Sequence, residues 1–121
     1  MKKILYIDDD QQAGKLMRFY LQRENYDVLV CTDTKNARDV LAAEPIDAII
    51  TDIGLPGEDG ISFYKWLQKH ETYRNIPILL VSAHAMGFDE VLREHRDIFL
   101  SKPIFFPDLI DRLNKICQDQ T

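Results

Sequence analysis

Charged and hydroxyl side chains stand where apolar runs of this chain stop. Asp8, Asp9 and Asp10 follow "KILYI", Asp52 closes "DAIITD", Ser82 closes "PILLVS", and Lys102 follows "IFLS". Three adjacent carboxylates repel one another unless a cation, a proton or solvent relieves the charge. Magnesium is a hard cation that prefers oxygen, keeps several waters and often takes only one or two carboxylates together with phosphate oxygens. Asp8, Asp9 and Asp52 could supply such a site. A carboxylate can also attack phosphorus and form an acyl phosphate, provided the charge on the transferring group is neutralised. A divalent cation, the Lys102 ammonium and the Ser82 hydroxyl could do so from three directions.

For these groups to meet, the chain between them must return each run to the same edge. Five apolar runs, at residues 3 to 7, 27 to 31, 47 to 50, 77 to 81 and 98 to 100, alternate with five helical patterns. Their mostly continuous apolar character suits parallel strands covered on both faces. Leu16, Met17, Tyr20 and Leu21 recur at helical spacing, as do Ala37, Val40 and Leu41, then Ile61, Tyr64 and Leu67. The last helix carries Leu109, Ile110, Leu113, Ile116 and Cys117 on one side, with Pro107 in its first turn. Thr34 is expected to cap the second helix and Pro45 to end it, because proline disfavours helical geometry in the residue before it. Gly57 and Gly60 read as turn residues. The stretch from Met86 to Asp97 has only Phe88, Val91 and Leu92 as apolar anchors and predicts a short or mobile fourth helix. Repeated βα units give a parallel sheet with right-handed crossovers and helices on both faces. Ligands of such sheets bind outside the carboxyl ends of the strands, where all the polar groups above would gather.

The 121 residues, 45% of them hydrophobic, fit one domain spanning residues 1–121, with no output domain expected. A formal charge of -5 argues against direct binding to nucleic acid, whose phosphates demand a basic face. No apolar run approaches the ~20 residues needed to cross a bilayer, and the chain is expected to be cytoplasmic with no membrane contact. Cys31 and Cys117 lie in apolar patterns without metal-ligand spacing and read as reduced thiols.

Taken in order, "IDDD", "ITDIGLPGEDG", "LLVSA" and "LSKPI" make the sequence resemble the receiver domain of two-component response regulators over essentially its whole length. The resemblance implies an α/β fold, a doubly wound five-stranded parallel sheet in the flavodoxin-like order 2-1-3-4-5. It implies Asp52 as phosphoacceptor, Asp9 as a direct ligand of Mg2+ (or Mn2+), Asp8 as a ligand acting largely through water, and the Gly54 backbone carbonyl completing the metal sphere. Ser82 and Lys102 would meet the phosphoryl group, Phe99 would be the aromatic rotamer switch coupled to Ser82, and Pro103 would hold the lysine loop, in many relatives through a cis peptide. The donor would be a phosphohistidine on a sensor histidine kinase or phosphotransfer protein, and the output altered binding of a downstream protein of unknown identity. Such a domain catalyses at most its own phosphorylation and dephosphorylation, so it is not counted as an enzyme. Gly54 and His84 occupy positions associated with tuning the lifetime of the phosphorylated state, with the sign left open.

Other readings stand beside this one. Asp10 suits the start of the first helix, where negative charge is favourable, better than a third ligand position. Asp52 and Lys102 could form a structural ion pair, Phe99 could be a simple core aromatic, and Phe105-Phe106 could staple the last helix to the core. A haloacid-dehalogenase-type phosphatase would use the literal Asp-x-Asp of Asp8 and Asp10. A flavin-binding protein is disfavoured because "DDDQQ" offers negative charge to a negative ligand. A receiver-shaped scaffold that is never phosphorylated is the remaining alternative. The interval from Ser82 to Lys102 is shorter than in typical relatives, and "HRDIFLSK" lacks the usual Gly-Ala pair. A standard dimer through the fourth and fifth helices is therefore not expected.

Overall fold

A computed structural model describes residues 1–83 and 96–118 of the chain. Along it run β1 (Lys2–Ile7), α1 (Gln11–Arg23), β2 (Tyr26–Cys31), α2 (Thr34–Ala43), β3 (Ala48–Asp52), α3 (Gly60–Lys69), β4 (Ile78–Ser82), a single 3-10 turn (Arg96–Ile98), β5 (Phe99–Ser101) and α4 (Phe106–Gln118). His84 and nearly all of the helix expected from Met86 to Asp97 lie outside the described residues.

The strands form one parallel sheet in the order β2-β1-β3-β4-β5, as the resemblance implies. Alternate side chains leave it in opposite directions. Ile4, Tyr6, Ile50, Val81 and Leu100 pack with Met17 and Leu21 of α1 and with Leu109 and Leu113 of α4. Leu5, Ile7, Ile49 and Leu80 pack on the other face with Ala37 and Leu41 of α2 and with Phe63 and Leu67 of α3. Continuous apolar runs are thus what a sheet buried on both sides requires.

An aspartate caps each of the first three helices. Asp10 Oδ1 accepts from the amides of Gln12 (2.9 Å) and Ala13 (3.4 Å), Asp33 Oδ1 from Asn36 (2.8 Å), and Asp59 Oδ1 from Ser62 (2.8 Å). The second of these corrects the expectation for Thr34, which is the first residue of α2 and is buried. Both residue types can cap, but the carboxylate one position earlier also meets the positive end of the helix dipole. Pro45 acts as expected, since Glu44 is already extended (φ -139°, ψ 148°). Phe105 does not staple α4: it is 71% exposed, whereas Phe106 packs against the core and stacks on Tyr20 at 4.1 Å.

Candidate functional site

Strand register brings the polar residues together. Asp8 continues β1 through a hydrogen bond from its amide to the Cys31 carbonyl (3.0 Å), and Lys102 continues β5 through one to the Ser82 carbonyl (2.8 Å). Asp52 is the last residue of β3, opposite Val81, and Ser82 the last of β4, opposite Ser101. Counting back by twos, Asp8 shares a face with Tyr6 and Ile4, Asp52 with Ile50, and Lys102 with Leu100. All three belong to the face covered by α1 and α4. Ser82 shares the opposite face with Leu80 and its strand partner Phe99, so Ser82 and Phe99 sit on one face of neighbouring strands.

One carboxylate oxygen from each of Asp8, Asp9 and Asp52 lies within 4.8 Å of the other two. Asp8 and Asp52 are buried, at 1% and 8% exposure, while Asp9 is open to solvent. Lys102 Nζ stands 3.2 Å from Asp52 Oδ2 and 3.8 Å from Asp8 Oδ2. The ammonium thus offsets part of the repulsion that three converging carboxylates create. The Gly54 amide approaches Asp52 Oδ1 at 3.4 Å, and a Cβ built on the exposed Gly54 would have no atom within 4 Å among the described residues. The Lys102–Pro103 peptide is cis.

The donor set fits a hard divalent cation. It is made of oxygen alone, it is anionic, and one of its three carboxylates faces water. Magnesium holds its ligands at ~2 Å, so its sphere is about 4 Å across, and oxygens within 4.8 Å of one another need only a small closure or a bridging water. Asp10, by contrast, is committed to capping α1 and stands outside the cluster, as its sequence context indicates.

Two site-shaping residues escape the sequence reading. Tyr6 is buried and donates its hydroxyl to Asp8 Oδ2 at 2.7 Å. Burial, and then the hydrogen bond to the Asp8 carboxylate, push the Tyr6 phenol far above its ordinary range, so it stays a neutral donor. The signal was its position, two residues before Asp8 on the same side of a strand. Gly60, read as a turn residue, is the first residue of α3, and a Cβ there would lie 2.4 Å from the Asp52 carbonyl oxygen and 2.9 Å from Ile53 Cα. Its amide bonds the Ile53 carbonyl (2.9 Å), so α3 starts pressed against the backbone that carries Asp52. Gly57, with φ 74°, is the turn residue it was expected to be.

Phe99 is half-buried, and its carbonyl accepts from Arg112 Nη1 of α4 at 2.8 Å. That bond ties β5 to α4 beside the site.

The chain belongs to the response regulator receiver domain family, whose profile matches residues 4–114. It is 30% identical over 120 residues to the polar-differentiation response regulator DivK of Brucella ovis, an alignment covering 98% of each chain. It is 31% identical over 117 residues to the transcriptional regulatory protein GltR of Pseudomonas aeruginosa, covering 95% of this chain but 48% of GltR, so it spans about half the length of that relative. The solved receiver domain of the Francisella response regulator 1452 superposes with a TM-score of 0.88 at 28% identity, covering 100% of both chains. Receiver domains are signalling modules of two-component systems. Among the described residues, no helix is long and apolar enough to cross a membrane.

Proposed function

We propose that this chain is a phosphorylation-dependent switch in which Asp52 accepts a phosphoryl group from a phosphohistidine on a sensor kinase or phosphotransfer protein in the cytoplasm. The observation that carries the reading is the convergence of three carboxylates within 4.8 Å beside an ammonium 3.2 Å from Asp52. An Asp52 carboxylate oxygen forms the new bond to phosphorus as the P–N bond of the phosphohistidine breaks. The departing imidazole nitrogen keeps the electron pair and is protonated. Asp8, Asp9, Asp52 and the Gly54 carbonyl would hold the Mg2+ or Mn2+ ion, which when bound neutralises phosphoryl oxygens during transfer.

The remaining steps belong to the chain's own side chains. Lys102, held between Asp52 and Asp8, reaches the arriving phosphoryl oxygens and exchanges carboxylate contacts for them. Ser82 turns toward the same group, and Phe99, its neighbour on the adjacent strand, repacks against the space vacated. Because Arg112 grips the Phe99 carbonyl, the change reaches α4, and the altered face changes affinity for a downstream protein. The domain acts as phosphoacceptor, not as an enzyme on other substrates, and its acidic surface makes direct contact with nucleic acid unfavourable.

The hydrolase alternative needs Asp10 aimed at a substrate, yet the Asp10 carboxylate satisfies two amides of α1. The test is incubation with magnesium and a small acyl-phosphate donor, followed by intact mass and hydrogen exchange. One phosphoryl group should be gained, with exchange changing around β4, β5 and α4. The Asp52→Asn variant should gain none, and equal uptake by that variant would contradict the proposal.

A further inference from the structure

We infer that Tyr6 is a positioning residue of the acidic pocket, holding the Asp8 carboxylate in the orientation that serves the divalent cation. The inference rests on reading Asp8, Asp9 and Asp52 as the holders of that ion.

Three donors fix Asp8. Its Oδ1 accepts from the Asp10 amide at 3.0 Å, and its Oδ2 accepts from the Tyr6 hydroxyl at 2.7 Å and faces Lys102 Nζ at 3.8 Å. These donors differ in how firmly they are held. Lys102 is 31% exposed, follows the last strand, and is closer to Asp52 than to Asp8, so it leaves when a phosphoryl group draws it away. Tyr6 is 1% exposed in the middle of the sheet, its ring packed among Ile4, Met17 and Ile50 and its hydroxyl pointed at one acceptor. It stays when Lys102 moves.

The restraint matters because the carboxylate torsion is otherwise soft, with a broad and roughly two-fold profile. A cavity of about 300 Å3 opens beside Asp8 on the α1 side, lined by Tyr6, Ala13, Met17, Lys102 and Phe106 among others, and gives the carboxylate room to turn away from Asp9 and Asp52. Hydrogen-bond partners that orient a ligand from outside the metal sphere change affinity by about 10–100-fold when removed. A phenol also gives directional contact without adding a second positive charge to a cation site.

The test compares the full chain with Tyr6→Phe and Tyr26→Phe by calorimetric titration with Mn2+ alone, without any phosphoryl donor. Tyr26 is a matched control, because it too is a buried phenol on a neighbouring strand, but its hydroxyl bonds Asn114 of α4 away from the pocket. Tyr6→Phe should weaken Mn2+ binding about tenfold while Tyr26→Phe leaves it unchanged. In an Asp8→Ala background, Tyr6→Phe should have no further effect, since it acts through Asp8. Unchanged or tighter binding by Tyr6→Phe, an equal loss in Tyr26→Phe, or a full additional loss in the Asp8→Ala background would overturn the inference. Failure of the unmodified chain to bind Mn2+ would instead remove the cation reading itself, and this inference with it.

Discussion

The Lys102 ammonium and the Asp52 carboxylate lie 3.2 Å apart, and the same ammonium stands 3.8 Å from Asp8. A lysine so placed serves the carboxylates in two ways. It relieves their repulsion when no ion is bound, and it competes with a cation for the same oxygens. Lys102→Met should therefore tighten Mn2+ binding. Unit charges 4 Å apart interact by about 1 kcal/mol in bulk water, so the gain should be roughly fivefold or more. Titration at low and high salt checks this, with the gain shrinking as salt screens it. The same variant should still fail to transmit phosphorylation to β5 and α4 in hydrogen exchange.

Gly60 tests how closely α3 must approach Asp52. Replacing glycine by alanine inside a helix ordinarily gains ~1 kcal/mol. Here the added methyl would meet the Asp52 carbonyl at 2.4 Å and Ile53 Cα at 2.9 Å, both backbone atoms that cannot turn aside. Gly60→Ala should lower stability by about 1–2 kcal/mol in urea denaturation despite the better propensity. It should also slow phosphoryl uptake, because the backbone that must give way is the end of β3 that carries Asp52.

The caps separate folding from chemistry. Asp33→Ala removes the acceptor of the Asn36 amide at 2.8 Å and should cost about 1 kcal/mol, whereas Thr34→Ala leaves that bond intact. Equilibrium denaturation of the two variants should rank them in that order. Phosphoryl uptake by Asp33→Ala should stay at the level of the unmodified chain, since α2 packs on the face opposite Asp8 and Asp52.

The strands were legible because a sheet covered on both faces must be apolar almost throughout, their order was implied only by the family resemblance, and the polar site was legible because it sits where those runs stop. The third run nevertheless read short. The ladder extends onto Asp52, whose side chain is polar but whose backbone still pairs with Val81, whereas Ser82 ends β4 as expected. The α2 cap was read one residue late because Asp33 and Thr34 are both capping types, and hydropathy does not rank them. Tyr6 hid within an apolar run, since a ring that fills the core and a hydroxyl that holds a carboxylate look alike in one-letter code. Gly60 hid for a related reason: its close approach to Asp52 is a tertiary contact, invisible beside the turn signals of Gly57.

Alkaline pH should unfold the chain partly through its buried phenols. Burial chiefly raises Tyr26 from its usual 10.0 to about 12, and raises Tyr6 as well. Both groups hold their proton more tightly in the folded state than in the unfolded one. Their contribution is complete below pH 10, and it is lost as pH rises through the folded values, because the unfolded chain releases protons first. Denaturation midpoints should therefore fall between pH 10 and 12, and less steeply in Tyr26→Phe.

Locating the phosphoryl group tests the central claim most directly. The chain is loaded from a small acyl-phosphate donor with magnesium, reduced with borohydride to convert any aspartyl phosphate to homoserine, digested and sequenced by mass spectrometry. Conversion at Asp52 alone, dependent on the divalent ion, is the predicted result. Conversion at Asp8 or Asp9, or uptake at Asp52 that is indifferent to chelation of the ion, would contradict the account.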